Sequence, residues 1–232
     1  MKFLLTNSDL DIQISGIKLL IRQSMNGVVS DSMKSHGLIY KQNYGVSIPR
    51  IREIASKYTK NHDLAQRLWL LNIRETMILA TMLQPFESFN EQLASEWLAK
   101  CNNIELVEQA NLNLYQHLYF APEFCLQRIH SEVVFQQYFG FTLALRIYQR
   151  LSPDQIHEIA EKGIQLANHD EPLLYTSIAA CLARCCRKDK LTAESIYQKT
   201  KQLNNQQLRS NIYILQAVKQ ELIFLGYLNE NF

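Results

Sequence analysis

The chain is short of backbone punctuation. Only seven glycines and five prolines stand in 232 residues, where average usage puts the two together at roughly 12 %. That scarcity excludes a collagen-like or linker-rich chain and argues against a turn-dense all-β fold. Cysteine is sparse as well. Cys101, Cys125, Cys181, Cys185 and Cys186 are odd in number and contain no CxxC, so neither a disulfide framework nor a zinc ribbon is expected. Thiols packing as small buried hydrophobes are. No run approaches the ~18 apolar residues that span a bilayer, and the apolar patch in MKFLLTNSDLD is too short for a signal-peptide core. A reducing cytoplasmic compartment, away from any membrane, is the expectation. There is no Gly-rich phosphate loop and no HExxH, and the six histidines (36, 62, 117, 130, 157 and 169) lack ligand spacing, so no cofactor and no metal are expected.

Charge excludes little. With 24 Lys+Arg against 22 Asp+Glu the formal net charge is +2, which leaves a polyanionic partner open until the positive residues are placed on one face.

What the chain does have is helical period. Ile156, Ile159, Ala160, Gly163 and Ala167 share one face, with Glu158, Glu161, Lys162 and Gln165 opposite. Ser152-Pro153-Asp154-Gln155 reads as a capping box with proline in the first turn. Ser47-Ile48-Pro49 opens another helix in the same style, predicted to run to about Tyr58, and Leu64, Leu68 and Leu71 stripe the next. Ile78, Met82 and Leu83 stripe a third, and Leu208, Ile212, Leu215 and Leu222 predict one buried face near the C-terminus. Only Val133–Phe141 is β-branched and aromatic enough to suggest a strand; Leu143, Ala144 and Ile147 downstream favour a helix. The fold class is all-α.

Five apolar helix centres fall near Leu79, Leu112, Leu143, Ala179 and Leu215. Breaks at Gln84-Pro85, Ala121-Pro122, Ser152-Pro153 and Glu171-Pro172 lie between them. A spacing in the thirties, two helices per unit, predicts a curved solenoid of helical repeats with a concave face; an irregular bundle is the alternative. No linker or composition shift marks a second domain, so one domain over 1–232 is expected. Asn204-Asn205-Gln206-Gln207 reads as a solvated loop.

One segment is more specific than any period: YGVSIPRIREIASKYTKNHDLAQRLWLLNIRETMILATMLQP, from Tyr44 to Pro85. A Gly-Val turn leads into Ile-Arg-x-Ile-Ala, then His62-Asp63-Leu64-Ala65, Leu68-Trp69, and Glu75 opening a helix through Leu79, Ala80 and Leu83. This resembles the bacterial DNA alkylation repair (AlkD-like) family of HEAT-like repeat proteins, clearly over 27–85 and by helix order to about 227. The resemblance implies packing and capping roles for the His, Leu-Trp and Glu positions. Trp69 and Trp97 read as core anchors ahead of base-stacking platforms.

The resemblance also implies a chemistry. Active members release cationic alkylated purines from double-stranded DNA, with the backbone on the concave face and an anion near the sugar as oxocarbenium character develops. Their set is Trp-Asp-x-x-Asp, an Arg on a later helix and a Trp on the helix after. Here the first motif reads Ile104-Glu105-Leu106-Val107-Glu108, the Arg position falls at Gln137 or Tyr138, and the second Trp at Ala180 or Cys181. Glu108 keeps the charge, yet its extra methylene displaces the carboxylate by about 1.5 Å, and a misplacement of about 1 Å can cost ~100-fold in rate. A solvated helix residue is the other account of Glu108, and it fits Glu105 equally. Three functions follow: a DNA glycosylase using Glu108; a non-catalytic DNA binder using Arg184, Arg187, Lys188, Lys190, Lys34 and Lys41, with Gln137 and Tyr138 at the former Arg position; and a protein-interaction scaffold with a protein partner.

Overall fold

The computed structural model describes residues 8–169, 171–203 and 208–229; the Asn204–Gln207 stretch lies outside them. Among the described residues run thirteen α-helices, three single 3₁₀ turns and no strand. The helices gather into two compact units that divide between Leu118 and Tyr119.

The first unit holds α1 (Ser8–Gln23), α2 (Gly27–Ser35), α3 (Ile48–Ala55), α4 (His62–Leu70), α5 (Arg74–Leu83), α6 (Glu91–Leu98) and α7 (Ile104–Asn113). Asparagine starts four of these helices. Asn26, Asn61, Asn90 and Asn103 each accept the backbone N–H three residues on, a cap whose loss costs about 1 kcal/mol. α4 packs on α5, and α5 lies between α3 and α7. α5 is therefore buried almost all round, from Arg74 through Thr81. The aromatic centre is Trp69 stacked flat on Trp97, centroids 4.1 Å apart and planes within 2°. Phe89 meets Trp97 edge-on at 4.9 Å and Tyr115 at 5.8 Å. Both indoles are 2 % exposed, which makes them core anchors.

The second unit holds α8 (Ala121–Ile129), α9 (Val134–Ile147), α10 (Pro153–Leu166), α11 (Pro172–Cys185), α12 (Lys190–Thr200) and α13 (Arg209–Phe224). α9, α11 and α13 pack in series, as do α8, α10 and α12, which gives two helix layers. α8 and α9 approach so closely that a Cβ on Gly140 would lie 2.7 Å from Ile129 Cγ1 and 2.9 Å from the Cys125 carbonyl. The five predicted apolar centres fall on or beside α5, α7, α9, α11 and α13, and the Val133–Phe141 stretch is helical from Val134. Polar bridges recur at nearly the same interval. Gln66–Trp97, Arg74–Glu105 and Thr81–Asn113 in the first unit span 31, 31 and 32 residues, and Glu123–Gln155 and Arg187–Glu221 in the second span 32 and 34.

The capping box at Ser152 and Gln155 is present in full, and its helix buries Ile156, Ile159, Ala160, Gly163 and Ala167 as expected. Two expectations need correction. α3 ends at Ala55 and not near Tyr58, and Ser47 caps it without a side-chain hydrogen bond. On α13 the buried face is Asn211, Ile214, Val218 and Leu222, while Ile212 stays 38 % exposed. The polar start of the helix sets this rotation: Ser210 Oγ donates to the Ala167 carbonyl at 2.5 Å, which draws Ser210 and Asn211 inward.

Candidate nucleic-acid interface

In the first unit the start of α7 presents Ile104, Glu105 and Glu108. Asn103 caps the helix through Leu106 N at 3.0 Å. Ile104 is 45 % exposed, so the side chain at the expected aromatic position reaches solvent. Glu105 is not the solvated residue its sequence position allows. Arg74, at the start of α5, grips it with both arms of the guanidinium: Nε donates to Oε2 at 2.8 Å and Nη2 to Oε1 at 2.6 Å. The Tyr40 hydroxyl donates to Glu105 Oε2 at 2.7 Å, with Asn103 Oδ1 also within reach at 3.0 Å.

The same arginine reaches further inward. Its Nη1 donates to the Val46 carbonyl at 2.8 Å and to Glu75 Oε1 at 3.0 Å. Glu75, fully buried, accepts the backbone N–H groups of Tyr44 at 3.1 Å and Val46 at 3.2 Å. Between them Gly45 turns at φ +68°, and a Cβ there would lie 2.1 Å from the Asn26 carbonyl. The Tyr-Gly-Val and Glu positions of the sequence segment thus form one buried polar knot. Burial works against the Arg74 charge, yet the hydrogen bonds and charge of Glu105, joined by Glu75, outweigh it and hold its pKa above the ordinary value. Burial, then the neighbouring Glu105 charge, pushes Tyr40 far up.

Glu108 is half-buried on α7, one turn beyond Glu105. Lys34 and Lys41 are exposed in the same unit, with no ion pair among the described residues.

In the second unit Gln137 is 6 % exposed and its amide donates to the Ser131 carbonyl at 2.7 Å, closing the turn before α9. Tyr138 is 7 % exposed and lies against Phe135. The basic cluster is spread over the end of α11, the turn after it and the start of α12. Arg184 is exposed on the last turn of α11 with no ion pair among the described residues. Arg187 is held by Glu221 and lies over the Phe224 ring, and Lys188 donates to the Leu151 carbonyl. Lys190 begins α12 beside Glu194 at 3.8 Å, at the positive end of a helix dipole where a lysine is disfavoured. Cys181, in the region expected for the second Trp, is fully buried.

Among the described residues no three His, Cys, Asp or Glu side chains gather as a metal group, and no helix is long and apolar enough to cross a membrane. Sequence reasoning passed over Tyr40, Arg74, Lys18 and Arg22. The i,i+4 spacing of the last two was the available signal.

The sequence profile of the family described as DNA alkylation repair enzyme matches residues 20–212. Among curated proteins, none matches the chain in sequence. A solved structure from "a new family of proteins related to the HEAT-like repeat DNA glycosylases with affinity for branched DNA structures" is similar with a TM-score of 0.77. The identity is 14 %, covering 92 % of this chain and 95 % of that one. The likeness establishes an all-α HEAT-like repeat fold.

Proposed function

Because the chain belongs to the DNA alkylation repair enzyme family, we propose that it binds DNA through the sugar–phosphate backbone and does not excise bases. The observation that carries the second half is Ile104, an aliphatic side chain 45 % exposed at the position where the family motif has an aromatic ring. A carboxylate that stabilises an oxocarbenium-like sugar must present uncompensated charge where positive charge develops. Glu105 is instead neutralised by a guanidinium and committed to Tyr40. Glu108, half-buried, is the other carboxylate of the motif. The exposed Ile104 beside it offers an aliphatic branch in place of a flat ring for the deoxyribose to pack on.

Binding needs less. Phosphates are neutralised by exposed cations without an ion-pair partner, and among the described residues Lys34, Lys41 and Arg184 are of that kind. Arg187 and Lys188 are held by partners within the unit and serve its packing first. The similar solved structure belongs to proteins with affinity for branched DNA, which makes a four-way junction the natural probe beside linear duplex.

The test pairs two assays. Gel shift with a duplex and a four-way junction should show binding to at least one of them. Incubation with duplex carrying N7-methylguanine should release no base above the uncatalysed rate. Base release that disappears in Glu108→Gln would overturn the non-excising half; no binding to either DNA would overturn the whole reading.

A further inference from the structure

The first unit contains a small pocket of about 140 Å³ that Ile104, Glu105 and Glu108 do not line. It is lined by Lys18, Ile21 and Arg22 of α1, Gln42 and Tyr44 of the segment before α3, and Ile73 and Thr76 at the start of α5. Lys18 and Arg22 are one helical turn apart and so share a face. Neither forms an ion pair among the described residues, whereas Arg50, Arg67 and Arg74 of the same unit each have an acidic partner. Two uncompensated cations therefore border one concavity.

The polar wall has the matching hydrogen-bond direction. Gln42 Nε2 donates to the Tyr44 hydroxyl oxygen at 2.7 Å, which leaves the tyrosine proton to be donated onward. Among the described residues no carboxylate lines the pocket. Glu75, the residue before Thr76, is committed to the Tyr44 and Val46 amides and to Arg74. The α5 dipole adds positive potential at its first turn, where Ile73 and Thr76 stand.

Size limits the ligand. Sites for nucleosides and other small molecules run from about 300 Å³ upward, whereas a phosphate displaces only a few waters' worth of volume, each water taking about 30 Å³. We propose that the pocket formed by Lys18, Arg22 and Tyr44 holds one phosphate group, and that, given the DNA-binding reading above, this is a phosphate of a DNA strand.

The test is the salt dependence of binding to a fluorescently labelled four-way junction, measured for the wild-type chain and for the Lys18→Gln/Arg22→Gln variant. Each neutralised phosphate adds about 0.9 to the log–log salt slope. The variant should lose about one unit of slope and bind about eight-fold more weakly at 0.1 M salt, with unchanged circular dichroism. Arg22→Gln alone, at an exposed position, gives the same direction should the double variant fold poorly. Wild-type binding whose slope and affinity are the same in the variants overturns the pocket and leaves the function standing.

If the wild type binds no DNA, the function falls. The pocket is then decided by inorganic phosphate, followed by ³¹P line broadening. Saturable broadening in the wild type and none in the variant supports the phosphate site with free phosphate as the source; no broadening in either overturns it.

Discussion

Replacing Arg74 by methionine removes a cation that buried Glu75 and half-buried Glu105 share. In the folded chain its side chain is 3 % exposed, against 0 % for Glu75 and 16 % for Glu105. It supplies two hydrogen bonds to Glu105, one to Glu75 and one to the Val46 carbonyl. Removing one partner of a buried pair leaves an uncompensated charge and costs about 3–5 kcal/mol. In a chain of this length each kcal/mol corresponds to roughly 2–4 °C in Tm, so the fall should be of the order of 10 °C. Urea unfolding followed by circular dichroism measures it directly. Arg74→Met/Glu105→Met should recover part of the loss, because the outer charge leaves with its partner while Glu75 stays unpaired. A loss under about 1 kcal/mol for Arg74→Met would show that water reaches the pair, and the argument that Glu105 is neutralised in place would fail with it.

Other perturbations probe the rest of the account. Iodide should barely quench the tryptophan emission and DNA should leave it unchanged, because both indoles are buried against each other; strong quenching by DNA would return Trp69 or Trp97 to a base-stacking role. Trp97→Ala should cost about 3–5 kcal/mol by cavity formation, read from the urea midpoint. Gly45→Ala should destabilise the first unit and lower the Tm, since the new methyl meets the Asn26 carbonyl at a positive φ. The five buried cysteines should resist a thiol reagent until the chain unfolds.

Alkaline pH should weaken the fold. Burial pushes Cys101 and Cys186 each up to about 12 and raises Tyr40 further. These protons are retained in the folded chain and released by the unfolded one from about pH 8.5. The stability they contribute is complete below that pH and is lost as pH rises toward 12, and Tyr40→Phe should flatten the part of the urea-midpoint profile above about pH 10.

Fold and site were unequally legible. Period and punctuation were enough for α10: the Ser152–Gln155 box and the Ile156–Ala167 face follow from local rules that tertiary packing did not override. On α13 Leu222 is buried as expected and Ile212 is not, because a hydrophobic stripe cannot register that Ser210 is drawn in by the Ala167 carbonyl 43 residues away. The polar knot was hidden for the same reason. Glu105 and Glu108 look alike in sequence, and only the arrival of Arg74 from α5 separates them. Gln137 and Tyr138 stand near the family's Arg position, whereas the fold uses them inside the turn and face of α9.

Binding of a labelled four-way junction across about 50 to 200 mM salt tests the central claim most directly. Four phosphate contacts, three at Lys34, Lys41 and Arg184 and one in the Lys18–Arg22 pocket, predict a fall in affinity of about 100-fold over that range. Affinity that does not change with salt, or no complex at the lowest salt, would contradict the account.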